Sequence, residues 1–312
     1  MSTIISVSNL KKSYKDNEVL KGISFDVKQG GIFALLGSNG AGKTTTINIL
    51  ATLQKADGGE ASICGYDCFS QQRDVKKSIS LTGQYATVDG SLTGRENLKL
   101  IGRLKHIKNP QEKARELLEK FNLTDAADKP ASTYSGGMRR RLDIAMSLIG
   151  DPKIIFLDEP TTGLDPQSRI AMWELVKEMS SQGITIFLTT QYLEEVEHLA
   201  DDIAILHEGK IVAHGTSDEL KEMLPQGMLK ITFPCLDSFL KAKSQLDRYS
   251  IANEDEKEYS ISILTSGKVD EITNILLGFK SNNIELKNFE QLKPTLEDVF
   301  LTIIGYEKDG GK

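Results

Sequence analysis

The sequence predicts an α/β protein. Its main part is a largely parallel sheet with helices around it, an antiparallel β portion and a helical insertion. A small α+β module follows at the C-terminal end. Three observations predict this. The runs "IFALLG", "IIFLDEP" and "GITIFLTT" are continuously apolar, as strands buried on both faces of a parallel sheet are. The stretch 166–181 between the last two reads as a helix, which completes a βαβ crossover. After "LPQG" the chain changes to short alternating strands and helices.

The elements follow in order. Residues 4–36 read as strands. "GISFDV" sends Ile23, Phe25 and Val27 to one face, and "QGG" turns it into "IFALLG". A Gly-rich loop leads into a helix from about Thr44 to Leu53. "GEASICGY" and "SISLTGQ" are short strands. From Leu92 to about Asp128 the pattern is helical, with Thr93 and Glu96 as a capping box at its start and an apolar face along "EKARELLEKFNL". "IAILHEGKIVAHG" reads as a hairpin turning at Glu208-Gly209. The main domain therefore spans 1–222, with the helical insertion at about 92–150. The module spans 228–312 and reads β-α-β-α-β through "LKITF", "DSFLKAKSQL", "YSISILT", "VDEITNILLGF" and "IELKNF". "KPTLEDVFLTIIG" closes it as a helix with Thr295 as N-cap.

Composition narrows the function. Of 312 residues, 39% are apolar and 26% charged, and 38 basic against 44 acidic residues leave a net charge of −6. A mildly acidic chain argues against an extended nucleic-acid track. No apolar run is long enough to span a bilayer, and "MSTIISVSNLKK" lacks the apolar core of a signal peptide. Work on a membrane would need a separate spanning chain. The three cysteines, Cys64, Cys68 and Cys235, read as reduced thiols, and no second Cys/His pair completes a metal site with "CGYDC". His106, His198, His207 and His214 lack ligand spacing and read as surface or turn positions. Arg139-Arg140-Arg141 reads as a solvated helix face, or as partners for acidic residues at a dimer seam. Trp173 reads as half-buried.

Two segments carry phosphate chemistry. "GSNGAGKTT" fits G-x-x-x-x-G-K-[ST] at Gly37, Gly42, Lys43 and Thr44, between a strand and a helix. Glycines let backbone N–H groups close around phosphate oxygens, and the helix N-terminus adds its dipole. Lys43 suits the β/γ-phosphates, and the Thr44 hydroxyl suits Mg2+. In "IIFLDEP", Asp158 and Glu159 stand at a strand's carboxyl end, where such sheets bind ligands. Asp158 suits the Mg2+ shell, and Glu159 suits a base for the attacking water. A third segment, "TYSGGMRRRLDIAMSL", opens a helix at Ser135-Gly136-Gly137. It offers a second anion cradle, which two chains set head to tail would use to close each other's ATP.

Over about residues 4–222 this layout resembles the ATP-binding cassette (ABC) ATPases. "GSNGAGKTT" looks like the Walker A loop, "IIFLDEP" like Walker B and "YSGGM" like the signature motif, with Met138 in place of the commoner glutamine. The resemblance implies a P-loop NTPase core. It implies ATP contacts from Gly37, Ser38, Asn39, Gly40, Ala41, Gly42, Lys43, Thr44 and Thr45, with the partner's Ser135, Gly136 and Gly137 closing the site. Tyr14 matches the aromatic that stacks on adenine. Gln84 is similar to the Q-loop glutamine, a further Mg2+ contact, and Asp165 to the D-loop aspartate. Gln191 stands where family members usually place a γ-phosphate-sensing histidine. An amide can donate hydrogen bonds there but never carries charge. Arg95 and Glu96 lie in the region with which family members meet a permease.

"TTQYLEE", "ATVDGSLTGRENL" and "PTLEDVFLTIIG" further resemble the daunorubicin-resistance type, the ATPases of drug and antibiotic exporters. That likeness implies a homodimer bound to a separate membrane permease at the cytoplasmic face, and no nucleic-acid partner. The competing reading is an ABC-type ATPase acting on ribosomes or DNA. Such proteins typically carry tandem cassettes or a long inserted coiled coil, and neither is present in this sequence.

Overall fold

The computed structural model describes residues 2–84, 87–224, 227–246, 249–292 and 294–309. It contains two compact units, Met1–Thr216 and Ser217–Lys312. In chain order the first unit runs β1 (Thr3–Tyr14), β2 (Asn17–Lys28), β3 (Ile32–Leu36), α1 (Lys43–Leu50), β4 (Gly58–Ile63), β5 (Tyr66–Asp67), α2 (Gln72–Ser78) and β6 (Ile79–Thr82). Then come α3 (Gly94–Leu104), α4 (Pro110–Lys120), α5 (Gly136–Ser147), β7 (Ile154–Asp158), α6 (Pro166–Ser181), β8 (Thr185–Thr190), α7 (Leu193–Leu199), β9 (Asp202–His207) and β10 (Lys210–Gly215).

Two sheets form this unit, an antiparallel one ordered β2-β1-β4-β5 and a six-stranded one ordered β10-β9-β3-β8-β7-β6. They share one apolar core with α1. Ile5, Val7, Phe25 and Ile63 of the first sheet meet Phe33, Phe156 and Phe187 of the second, and Ile47 and Leu50 of α1 complete it. The aromatic centre is tight, with Phe33 and Phe187 centroids at 5.0 Å and Phe156 and Phe187 at 5.3 Å.

Local chemistry sets the element ends. Thr93 Oγ1 accepts from the Glu96 N–H, and the Glu96 carboxylate accepts from Thr93 N at 2.8 Å, so the expected capping box opens α3. The single helical stretch expected over 92–128 is two helices, because the chain turns at His106, which takes a positive φ of 54°, and Pro110 starts α4. α1 ends at Leu50, three residues early, with Thr52 at φ 58°. The Glu208-Gly209 turn has φ of 43° and 81°, the paired positive values of a tight hairpin turn. It joins β9 to β10 as expected.

That hairpin carries a titratable link, His214 Nε2 to the Asp202 carboxylate at 3.2 Å. The hydrogen bond to Asp202 holds the His214 ring above its ordinary value of 6.5, against the pull of burial. A raised folded value means the link stabilises fully below the unfolded value and is lost as pH rises through the folded one. In urea unfolding, the parent should therefore lose more stability than His214→Asn as pH climbs from about 6.5 toward alkaline values. Equal slopes would show the link contributes nothing.

The second unit begins with α8 (Ser217–Glu222), so 217–222 belong with it and not with the main domain as the sequence suggested. Leu220 of α8 is buried, and α8 packs on the terminal helix. Next come β11 (Met228–Thr232), α9 (Leu236–Gln245), β12 (Ile251–Asp255), β13 (Ser260–Leu264), α10 (Val269–Ser281), β14 (Asn288–Leu292) and α11 (Leu296–Asp309). The antiparallel sheet order is β12-β13-β11-β14, a β-α-β-β-α-β split arrangement. The expected order missed β12. Its "IANED" lies on an edge and lacks the apolar alternation that marks a half-buried strand. The last strand also starts at Asn288, later than "IELKNF" suggested. Phe233, Phe239 and Phe279 fill the core between sheet and helices. Thr295 caps α11 as expected, its hydroxyl accepting from Asp298 N at 3.2 Å. Among the described residues, no helix is long and apolar enough to cross a membrane.

Candidate active site

Strand register assembles the site. β3, β8, β7 and β6 are adjacent and parallel, with Leu36 opposite Thr190, Asp158 opposite Thr189, and Thr82 opposite Leu157. The residues that follow each strand therefore emerge along one edge: Gly37 and its loop, Gln191, Glu159, and Gln84. This is the carboxyl edge at which open α/β sheets bind ligands. Gly37 N donates to Thr190 O at 3.2 Å and closes the first gap.

The loop needs its glycines. A Cβ on Gly37 would stand 2.4 Å from Leu206 O, and Gly42 takes φ 113° as the N-cap of α1. Ser38, Asn39 and Gly40 are exposed, Ala41 is buried and Thr45 half-buried. Lys43, 4% exposed, folds its ammonium over the loop, donating to Gly37 O at 2.8 Å and Ser38 O at 3.1 Å. It also lies 3.3 Å from Glu159 Oε1, itself only 8% exposed.

Two oxygen groups sit beside the lysine. Thr44 Oγ1 donates to Asp158 Oδ2 at 3.0 Å, and Thr189 Oγ1 donates to Asp158 Oδ1 at 2.5 Å. A hydroxyl and a carboxylate are hard donors of the kind Mg2+ takes, one or two from protein with phosphate supplying others. Glu159 Oε2 accepts from Gln84 Nε2 and from Thr162 Oγ1, each at 3.2 Å. Gln84 is thus tied to Glu159, and among the described residues no hydrogen bond links it to Thr44 or Asp158. Glu159 also has φ 47°, unusual for a side-chain-bearing residue. Its N–H is held by Thr189 O at 3.1 Å.

Other expected residues lie around this centre. Gln191 is half-buried where β8 ends. Tyr14 is 45% exposed at the end of β1 and bonds Gln54, with the Lys12 ammonium 5.6 Å from its ring centroid. Ser135 caps α5, accepting from Met138 N at 3.2 Å. Ser135 and Gly136 are exposed. Gly137 is buried, and a Cβ there would lie 2.7 Å from Ser168 Oγ. Asp165 caps α6, accepting from Ser168 Oγ at 2.6 Å and Ser168 N at 2.9 Å. Those bonds hold its carboxyl below the ordinary range.

Within the arginine run Arg140 departs from the expected solvated face. It is 5% exposed, while Arg139 is exposed and Arg141 half-buried, and both of these bond backbone carbonyls. Arg139 donates to Ala131 O and Ser132 O, and Arg141 to Phe121 O. Helical spacing carries the missed signal, since 137, 140 and 144 share a face and Gly137 and Ile144 are core residues. Thr189 and Thr162 were missed too. Nothing in a lone threonine marks a carboxylate partner. Trp173 is more buried than expected, at 4%.

The sequence profile described as ABC transporter matches residues 20–162. Over 304 residues the chain is 40% identical to the daunorubicin resistance ATP-binding protein DrrA2 of Streptomyces coeruleorubidus, covering 96% of this chain and 94% of that one. The chain belongs to the ABC transporter family. This ABC ATPase is also 34% identical over 306 residues to the linearmycin resistance ATP-binding protein LnrL of Bacillus subtilis, covering 97% and 98% of the two. Its fold matches the crystal structure of a nucleotide-free ATP-binding cassette from an ABC transporter. The TM-score is 0.64 at 28% identity, over 71% of this chain and 94% of that one. Like its family, this ABC ATPase binds and hydrolyses ATP.

Proposed function

We propose that this ABC ATPase drives an efflux transporter, moving an antibiotic or similar amphipathic compound through a permease on a separate chain. The observation that carries the catalytic part is the meeting of Lys43, Thr44, Asp158 and Glu159 at one sheet edge. Lys43 and the loop 37–45 would hold the triphosphate. Glu159 would take a proton from the attacking water, with Gln84 and Thr162 orienting it. Thr44 and Asp158 would hold Mg2+, which neutralises charge on the phosphates when bound. Gln191 would donate to the γ-phosphate, and Tyr14 would stack on the base. The exposed Ser135 and Gly136 at the tip of α5 suit a partner copy's nucleotide, with Asp165 beside that seam.

The export part rests on relatives whose names refer to daunorubicin and linearmycin resistance. In that arrangement the chain sits at the cytoplasmic face of the membrane, held there by its permease.

The test reconstitutes this chain with its candidate permease in inverted vesicles. MgATP should drive daunorubicin or linearmycin into the lumen only when both polypeptides are present. ATP turnover that responds to ribosomes or DNA, with no uptake of either compound, would overturn the export reading.

A further inference from the structure

One buried guanidinium gathers three backbone carbonyls around the site. Arg140 donates from Nε to Pro160 O at 2.9 Å, from Nη1 to Gly83 O at 2.6 Å, and from Nη2 to Asp158 O at 3.1 Å. Asp158 and Pro160 flank Glu159 in the chain, and Gly83 precedes Gln84. One turn along α5, buried Asp143 accepts from Thr87 N at 3.1 Å and Thr87 Oγ1 at 2.8 Å. Asp143 Oδ2 lies 3.6 Å from Arg140 Nη1, an ion pair too long for a hydrogen bond. One face of α5 therefore grips Gly83 and Thr87, on either side of Gln84, and the carbonyls of the two residues that flank Glu159.

A core-filling role does not call for this. Taking a guanidinium out of water is costly unless its hydrogen bonds are made, and an apolar side chain would fill the same space at lower cost. Burial pulls Arg140 below the ordinary arginine value and raises the Asp143 carboxyl. The fork meets a backbone that needs holding, because Glu159 takes φ 47°. Such conformations persist where surrounding bonds over-determine them. α5 is also the helix that Ser135 caps, so the helix holding Glu159 is the one whose tip is exposed.

We infer that Arg140, seated by Asp143, is a positioning residue. It sets the aim of the Glu159 carboxylate and ties it to both the Gln84 loop and the Ser135 helix. This rests on the reading of Glu159 as the base for water.

The test uses the full chain, three single variants and one double variant. Arg140→Lys keeps the charge but cannot reach three carbonyls with a planar fork. Asp143→Asn keeps an acceptor for Thr87 and removes the charge that seats Arg140. Glu159→Gln reports on the base itself. In Arg140→Lys, kcat should fall about 10- to 100-fold, the scale of a small misplacement of a reacting group, while ATP affinity stays at the parent value. Asp143→Asn should lower kcat by less, again without weakening ATP binding, and it decides the matter if Arg140→Lys does not fold. Adding Arg140→Lys to Glu159→Gln should lower the residual rate no further, since both act through one carboxylate. Parental kcat in Arg140→Lys, or loss of ATP binding in step with kcat, overturns the inference. If Glu159→Gln is slow while Arg140→Lys is not, only the clamp is wrong. If Glu159→Gln keeps the parental rate, the base assignment fails and the clamp fails with it.

Discussion

Replacing Glu159 by glutamine is expected to lower ATP turnover by about 10²- to 10⁴-fold, the usual contribution of a positioned general base, without loss of ATP binding. The surroundings favour a clean result. Gln84 and Thr162 both donate to Glu159 Oε2, and an amide oxygen still accepts there. What disappears is the charge. The Lys43 ammonium then loses its partner at 3.3 Å, and nothing on Glu159 competes with phosphate for it. Nucleotide affinity should therefore hold or rise, and the variant should accumulate as an ATP-bound dimer. Single-turnover kinetics, equilibrium ATP binding and light scattering check the three parts. Turnover at the parental rate would remove Glu159 as the base and shift attention to other groups at the strand ends.

The largest stability effect is expected at Phe187. Its ring is fully buried and touches three others, Phe25 at 5.9 Å, Phe33 at 5.0 Å and Phe156 at 5.3 Å between centroids. It stands on β8, between β3 and β7. Phe187→Ala should cost about 3–5 kcal/mol, combining lost burial with the cavity left behind. β-strands on both sides fix the backbone, so the site cannot collapse easily. The same strand carries Thr189 to the active edge and ends just before Gln191, so residual activity should fall with stability. Urea unfolding monitored in the first unit measures this. A loss below about 1 kcal/mol would mean neighbouring rings refill the space, as volume-tolerant cores do.

Much of the site was legible because its chemistry is local. The loop 37–45 is contiguous, and its glycine spacing is dictated by a backbone that wraps an anion. Asp158 and Glu159 follow an apolar run directly. The caps at Thr93 and Thr295 and the Glu208-Gly209 turn each depend on neighbours three or fewer residues away. The likeness to a known family then supplied roles for Tyr14, Gln84, Asp165 and Gln191 that their surroundings alone did not.

The sequence by itself determined which segments carry phosphate-binding, carboxylate and capping chemistry, because each depends on a few adjacent residues. Only the tertiary structure decided that β8 lies between β3 and β7 in a register pairing Leu36 with Thr190 and Asp158 with Thr189. It alone turned Arg140 inward onto three carbonyls and added β12 at an edge. Strand order and the choice of the three carbonyls that Arg140 meets are sums of many weak contacts between residues far apart in the chain. No short window of sequence holds that sum.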